Sequence, residues 1–292
     1  MVQNVSNRQG PVQLIECPRD AMQGWPTHIP TEQKIQYLNA LLQVGFDTLD
    51  FGSFVSAKAI PQLADTKEVL KGLQWNTPTK LLAIVANVRG AEEAVVFDEI
   101  TYIGFPFSVS ETFQQRNTNS TIAASLQRVA AIQRLCKQHG KQLVIYISMG
   151  FGNPYGDPYS AEIVYHWVNE ILALDVQIIS LADTVGLATP EQVYDMTSYL
   201  INQLPDQQIG VHLHSTPNNR KDKIEAAWRA GCRRFDGALK GIGGCPMAND
   251  DLVGNIDTEW LISYLEQYEV LPALNREALS KSSNLANELF TL

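Results

Sequence analysis

Two histidines, His212 and His214, stand two residues apart in the apolar run IGVHLH at 209–214. In a β-strand such residues face the same side, roughly 6.6 Å apart along the chain. Val211 and Leu213 then face the other way, and both imidazoles point into whatever the strand lines. A pair of this kind binds a divalent metal, or it packs as two hydrogen-bonded core histidines. Carboxylates and amides at the ends of other apolar runs favour the metal. Asp20, beside Arg19, is the natural carboxylate partner, although an Arg-Asp pair alone also reads as a surface ion pair. Mixed imidazole, carboxylate and amide ligands suit Mg²⁺ or Mn²⁺, with Zn²⁺ or Co²⁺ as substitutes. Cys245 lies in GIGGCPMAND at 241–250, where Gly241, Gly243 and Gly244 expose the backbone and Pro246 stiffens the far side. A cysteine so presented reads as a working thiol rather than a small hydrophobe.

The elements that must position these residues alternate along the chain. Strand candidates are 12–17, 47–51, 80–86, 99–105, 142–148, 176–182, 209–214 and 232–238, rich in β-branched and aromatic residues. Several are apolar on both faces, as strands covered by helices are. Helical stripes follow at 31–43, 120–138, 159–173, 189–203 and 218–230, with Thr31 and Ser120 or Thr121 as N-caps. Gly45, Gly140 and Gly231 sit just past helical stretches, where a left-handed residue is wanted. About eight βα units in roughly 260 residues predict a (β/α)8 TIM barrel of the α/β class. The alternative, an open doubly wound sheet, wants a Gly-rich turn after the first strand, and RDAMQ stands there instead. The barrel spans about 12–256 and a helical tail about 257–292, all in one catalytic domain of residues 1–292.

Barrel active sites lie at the C-terminal ends of the strands. There the sequence offers Glu16, Arg19 and Asp20, then Asp50 and Ser53, then Asn87. Ser110, Glu111, Ser148 and Met149 follow, and after them Ser180 and Asp183, His212 and His214, the glycine loop with Cys245, and Asn255. Asp183 also reads as a helix cap near Thr189. Glu16 and Asp50 read as partners that hold Arg19. Cys17, Cys136 and Cys232 read as core, and His28, His139 and His166 as loop or helix surface.

The 292 residues carry 22 Lys and Arg against 31 Asp and Glu, a net charge of −9, which argues against nucleic acid as the main partner. Four cysteines without a C-x-x-C pair argue against a zinc ribbon and fit a reducing compartment. No apolar run reaches the length of a membrane helix, about 18 residues, and no secretory h-region opens the chain. The expectation is a cytoplasmic protein with no membrane partner.

These motifs together resemble the 3-hydroxy-3-methylglutaryl-CoA lyase family of the DRE-TIM metallolyases. The family's RDGLQ is matched by PRDAMQ at 18–23 and its T-T-S-F-V-S-P-K by FGSFVSAK at 51–58. S-E-x-F is matched by SETF at 110–113, S-L-G-D-T-x-G by SLADTVG at 180–186, and V-H-x-H-D-T by VHLHST at 211–216. G-L-G-G-C-P-x-A is matched by GIGGCPMA at 241–248, with Gly254 and Asn255 downstream. The resemblance implies a metal on Asp20, His212, His214 and Asn255, and catalytic roles for Arg19, Asp20, His212 and Cys245. It implies supporting roles for Glu16, Gln23, Asp50, Ser53, Asn87, Ser180, Asp183, Gly243 and Gly244. It also implies an acyl-CoA substrate, retro-Claisen cleavage of 3-hydroxy-3-methylglutaryl-CoA, a setting in leucine degradation and ketone-body formation, and a homodimer or higher assembly as an open question. Ala21 replaces a glycine of the pattern, which requires a backbone away from positive φ. Ser215 replaces an aspartate, which predicts a missing carboxylate behind the metal ligands. Asp50 is a methylene shorter than the usual Glu, and Asp250 and Asp251 add acids to the last loop. Rival readings are a related lyase or aldolase, an enzyme condensing acetyl-CoA with a 2-oxo acid, and an inert paralogue that only binds ligand.

Overall fold

The computed structural model describes residues 11–74, 76–244 and 253–291. Eight parallel strands close into a barrel in sequence order: β1 (Gln13–Glu16), β2 (Thr48–Ser53), β3 (Lys80–Ile84), β4 (Ile100–Ser108), β5 (Gln142–Ser148), β6 (Ile178–Ala182), β7 (Gln208–His212) and β8 (Arg234–Gly237). β8 pairs back to β1, with Ile15 opposite Asp236. The doubly wound alternative is therefore excluded. β4 runs on through Pro106, which lies in register with Tyr146 of β5.

The helices are α1 (Pro18–Gln23), α2 (Thr31–Leu42), α3 (Thr66–Lys71), α4 (Val88–Ala94), α5 (Glu111–Thr118), α6 (Ile122–Gln138), α7 (Ala161–Leu172), α8 (Pro190–Gln203), α9 (Arg220–Arg229), α10 (Thr258–Glu266) and α11 (Arg276–Leu289). Leu38, Leu41 and Leu42 of α2, and Val129, Ile132 and Cys136 of α6, are fully buried, which follows from their spacing on one helical face. Thr121 caps α6, and Thr189 forms a reciprocal capping box with Gln192 on α8. Thr31 does not cap α2; Pro30 takes that position, and the Thr31 hydroxyl instead donates to Asp65.

The tail wraps the outside of the barrel. Val12 and Asn275 donate backbone N–H bonds to Val270 and Val44 carbonyls respectively. The Phe290 ring packs against Trp25 and Tyr37, with centroids 5.2 and 6.1 Å away. Gly45, at φ +96°, lies where a Cβ would meet the Ala273 carbonyl oxygen at 2.8 Å, so only glycine lets the tail approach. Among the described residues, no helix is long and apolar enough to cross a membrane.

Candidate active site

Pro18 opens α1 immediately after β1, at a position that needs no N–H and suits its fixed φ. One short turn of helix then sets Arg19, Asp20 and Gln23 at the barrel mouth. Ala21 lies inside that helix, away from positive φ, so a side chain is tolerated there. Arg19 is forked between carboxylates. Its Nε and Nη2 donate to Asp50 Oδ2 at 2.9 and 2.5 Å, and its Nη1 donates to Asp20 Oδ1 and Gln23 Oε1, both at 2.9 Å. The Asp50 part of the expected pairing is present. The Glu16 part is not: Glu16 turns to the helix layer, accepting from Leu239 N at 2.8 Å and from the Thr258 hydroxyl at 2.5 Å. Alternation along β1 explains this, because Gln13, which meets Gln208 of β7 inside the barrel, is out of phase with Glu16.

Asp20 accepts three hydrogen bonds. Gln23 Nε2 joins Arg19 on Oδ1 at 2.8 Å, and Asn255 Nδ2 donates to Oδ2 at 2.7 Å. Burial works against the carboxylate, but the charges of Arg19, His212 and His214 and the Asn255 bond prevail and lower its pKa to about 2. The Asp50 carboxyl is pushed up to about 6 by burial, against the opposing pull of Arg19. Among the described residues, its Oδ1 is buried without a partner.

β7 presents His212, and His214 follows just past the strand end, bridged to Asn255. His212 Nδ1 lies 3.2 Å from Asp236 Oδ2, and His214 Nδ1 lies 2.8 Å from the Val253 carbonyl oxygen. Both Nδ1 atoms therefore carry their ring's proton, because each faces an oxygen that only accepts. The two Nε2 atoms lie 3.3 Å apart, and with both rings neutral they turn their lone pairs to one point, where a cation would be held. Ligand atoms of Asp20, His212 and His214 lie within 4.8 Å of one another, and all three residues are buried. Both Asn255 amide hydrogens are used, on Asp20 and on the Ile242 carbonyl at 2.9 Å, which frees its Oδ1 as a neutral ligand. This donor set fits a hard or borderline divalent ion. Burial lowers the His212 pKa, but the Asp236 hydrogen bond and charge, with Asp20, outweigh it, and the net shift is upward. His214 is lowered, by burial and then by the neighbouring His212 charge.

A cavity of about 280 Å³ opens beside this cluster. Arg19, Asp20, Gln23, His212 and His214 line one side, and Val55, Ile60, Ile84, Pro106 and Phe113 the other. Tyr146 of β5 also lines it, edge-on to His212 with ring centroids 5.8 Å apart, and its hydroxyl is buried with no partner among the described residues.

The remaining candidates divide by place. Gly243, at φ +113°, lies so close to Asn255 Nδ2 and Asp20 Oδ2 that no Cβ fits, so it belongs to the site as a backbone approach. Gly244 is buried, also at positive φ. Asp183 accepts from Ala188 N at 3.1 Å and from the buried Lys223 at 2.6 Å; Lys223 also donates to the His214 carbonyl, so this pair braces the loops after β6 and β7. Ser53 is held by Thr66 and the Ile84 carbonyl. Asn87 caps α4 through Gly90 N and faces a neighbouring cavity rather than the metal cluster. Ser180 is fully buried in β6 and its hydroxyl has no partner. Cys245, Asp250 and Asp251 lie outside the described residues. Cys17, Cys136 and Cys232 are buried, and His28, His139 and His166 are exposed. Ser215 brings no carboxylate, but one does stand behind His212: Asp236 of β8, 3.2 Å from its Nδ1. Neither Asp236 nor Tyr146 was singled out from sequence, because each sits within an apolar strand pattern; the inward phase they share with a charged or aromatic neighbour was the available signal.

A closed parallel barrel with a buried His-His-Asp cluster at its C-terminal mouth defines a (β/α)8 enzyme with the makings of a divalent-metal centre. The chain belongs to the HMGL-like family, whose model matches residues 12–286. It is 31% identical over 271 residues to the hydroxymethylglutaryl-CoA lyase YngG of Bacillus subtilis, covering 93% of this chain and 90% of that relative. It is 33% identical over 257 residues to a cytoplasmic 3-hydroxy-3-methylglutaryl-CoA lyase of Danio rerio, covering 87% of this chain and 76% of the relative. Its fold is similar to an HMG-CoA lyase of Acinetobacter baumannii solved with coenzyme A and 3-methylmalate, at a TM-score of 0.89 and 33% identity over 98% of this chain and 93% of that one. It is equally similar to the Bacillus subtilis HMG-CoA lyase structure, at a TM-score of 0.89 and 31% identity over 95% of this chain and 93% of that one.

Proposed function

We propose that this enzyme cleaves 3-hydroxy-3-methylglutaryl-CoA to acetoacetate and acetyl-CoA, with a divalent ion, Mg²⁺ or Mn²⁺, held by Asp20, His212, His214 and Asn255. The convergence of Asp20, His212, His214 and Arg19 on one side of the cavity, with Asn255 bonded to Asp20 behind them, carries the reading. The bound ion would lower the pKa of the substrate's tertiary hydroxyl and fix its orientation. The chain's own groups supply the rest. The hydroxyl proton goes to a base, and the bond between the hydroxyl-bearing carbon and the thioester α-carbon breaks. The hydroxyl oxygen becomes the ketone of acetoacetate, and the acetyl-CoA enolate takes up a proton. With its Nδ1 protonated toward Asp236 and its Nε2 turned to the ion, His212 has no lone pair left for the hydroxyl proton, so the base is the Asp20 carboxylate, a weak one at a pKa of about 2. The Arg19 guanidinium, held rigidly by Asp50, stabilises negative charge on oxygen as the bond breaks. Cys245 is the proposed donor of the proton to the enolate.

A second cavity adjoins the first, sharing Val55, Ala59, Ala86, Asn117 and Thr118, and is lined by Arg89, Arg116 and Arg128. Arg116 stacks on Tyr155 at 4.6 Å, and Arg128 donates to the Thr118 carbonyl at 3.2 Å. Three arginines in a chain of net charge −9 support a phosphate-bearing thioester substrate. The buried free cysteines support a reducing, cytoplasmic setting.

Product analysis tests the reading. Purified protein with Mn²⁺ is expected to release acetoacetate and acetyl-CoA in equal amounts from 3-hydroxy-3-methylglutaryl-CoA. Release only from other 3-hydroxyacyl thioesters, or condensation of acetyl-CoA with a 2-oxo acid, would contradict the substrate assignment and leave the metal site standing.

A further inference from the structure

Behind His212 lies a buried chain of contacts on two neighbouring strands. Arg234 and Asp236 alternate inward along β8, and Gly210 and His212 alternate inward along β7. Arg234 Nη1 donates to Asp236 Oδ1 at 2.9 Å, and Asp236 Oδ2 faces His212 Nδ1 at 3.2 Å. The Asp236 side chain is fully buried and that of Arg234 is 4% exposed. A Cβ on Gly210 would lie 3.0 Å from Arg234 Cγ and Cδ, so the absence of a side chain at 210 gives the guanidinium stem its place in the barrel. His214 is held differently: its Nδ1 faces the backbone carbonyl of Val253.

We propose that Arg234 and Asp236 are positioning residues for the metal centre. Arg234 fixes the Asp236 carboxylate, and the carboxylate keeps the His212 proton on Nδ1 and so presents the Nε2 lone pair at the barrel mouth. This rests on the metal reading above. A neutral imidazole has one proton, and it serves as a ligand only through the other nitrogen. A charged carboxylate at one nitrogen decides which that is. Two donors then saturate the two Asp236 oxygens, one from Arg234 and one from His212, which leaves no buried charge unpaired. The roles of the two histidines thereby separate. His212 depends on side chains deep in the barrel, and His214 depends on the loop backbone.

The test reads Mn²⁺ affinity of the full chain without substrate, by electron paramagnetic resonance of free Mn²⁺, together with ¹⁵N imidazole spectra. In Asp236→Asn, Arg234 takes the amide oxygen, so the NH₂ faces His212 Nδ1 and moves the ring proton to Nε2. The expected result is Mn²⁺ binding weaker by about 10- to 100-fold, the range for outer-shell partners of metal ligands. The His212 spectrum shifts to the Nε2–H form while His214 is unchanged. Parental affinity with an Nδ1–H His212 in the folded variant would overturn the proposal. If Asp236→Asn does not fold, Arg234→Met and Arg234→Lys decide. Weaker Mn²⁺ binding in the methionine variant, recovered in the lysine variant, supports the proposal; parental affinity in both overturns it. No substrate enters these measurements, so their failure is distinct from failure of the lyase reading.

Discussion

The two halves of the barrel interior are built from different chemistry. β7, β8, β1 and β2, with the α1 turn, bring Arg234, Asp236, His212, Arg19, Asp20 and Asp50 together. β3 to β6 fill the opposite half with Leu82, Tyr102, Val144, Tyr146 and Ile178, a separate buried cluster flanked by Ile84. The charged half has few solvent contacts and holds its ions by pairing them: Arg19 with Asp20 and Asp50, and Arg234 with Asp236. The apolar half holds its shape mainly by packing, with the Lys80 ammonium over the Tyr102 ring at its rim. A substrate at the mouth therefore meets oxygen-binding groups on one side and hydrocarbon on the other. The proposed catalytic groups thus fall in one half and the packing in the other, and substitutions on each side separate the two.

The largest effect is expected in the charged half. His214→Ala removes one imidazole from the proposed ligand set, so Mn²⁺ affinity falls by more than about 100-fold, beyond the outer-shell range. A calorimetric titration checks it, and unchanged affinity would remove His214 from the ligand set. Arg19→Lys keeps the charge but loses the fork on Asp50. Its kcat is expected to fall by about 10²- to 10³-fold, as when a preorganised donor to a developing oxyanion is removed. Steady-state kinetics decide it, and a change confined to KM would make Arg19 a binding group only.

Leu82→Ala tests the apolar half. It opens a cavity in a fully buried cluster and costs about 2–5 kcal/mol of stability, with Mn²⁺ affinity unchanged. Denaturant unfolding measures the first and titration the second; a loss of metal binding in the folded variant would erase the division between the halves.

The smallest effect concerns Glu16, which burial pushes up to about 8. Its folded pKa lies above the unfolded value of about 4.3, so the stabilisation is full below that value and is lost as pH rises toward 8. Glu16→Gln keeps an acceptor for Leu239 N and abolishes the titration. Relative to the parent, its melting temperature is expected to rise steadily between pH 5 and pH 8. A constant difference across that window would mean Glu16 is ionised in the fold.

Much of this division could be read in the sequence, and the part that could not has a physical reason. The H-x-H spacing places both imidazoles on one face because a strand alternates, and the strand-end positions of Arg19, Asp20 and Asn255 follow from barrel geometry. Glu16 stands close to Arg19 in sequence, which reads as a pairing, yet its phase on β1 sends it to Leu239 and Thr258 in the helix layer. Asp236 and Arg234 were hidden in CRRFDGA, where charged residues in a buried strand have meaning only once their neighbours on β7 are known. Tyr146 looked like one more apolar residue of QLVIYIS. The short helices α1, α3, α4 and α5 carry fewer than three turns, too little for a periodic pattern to declare them.

In the proposed function a divalent ion at the His212–His214–Asp20 end of the charged half is required for carbon–carbon cleavage. The most direct measurement is acetoacetate release from 3-hydroxy-3-methylglutaryl-CoA after treatment with EDTA, and again after Mn²⁺ or Mg²⁺ is returned. The account predicts that release stops with the chelator and recovers with the ion in the parent, but does not recover in His214→Ala. Release at the parental rate in the metal-stripped protein would contradict it.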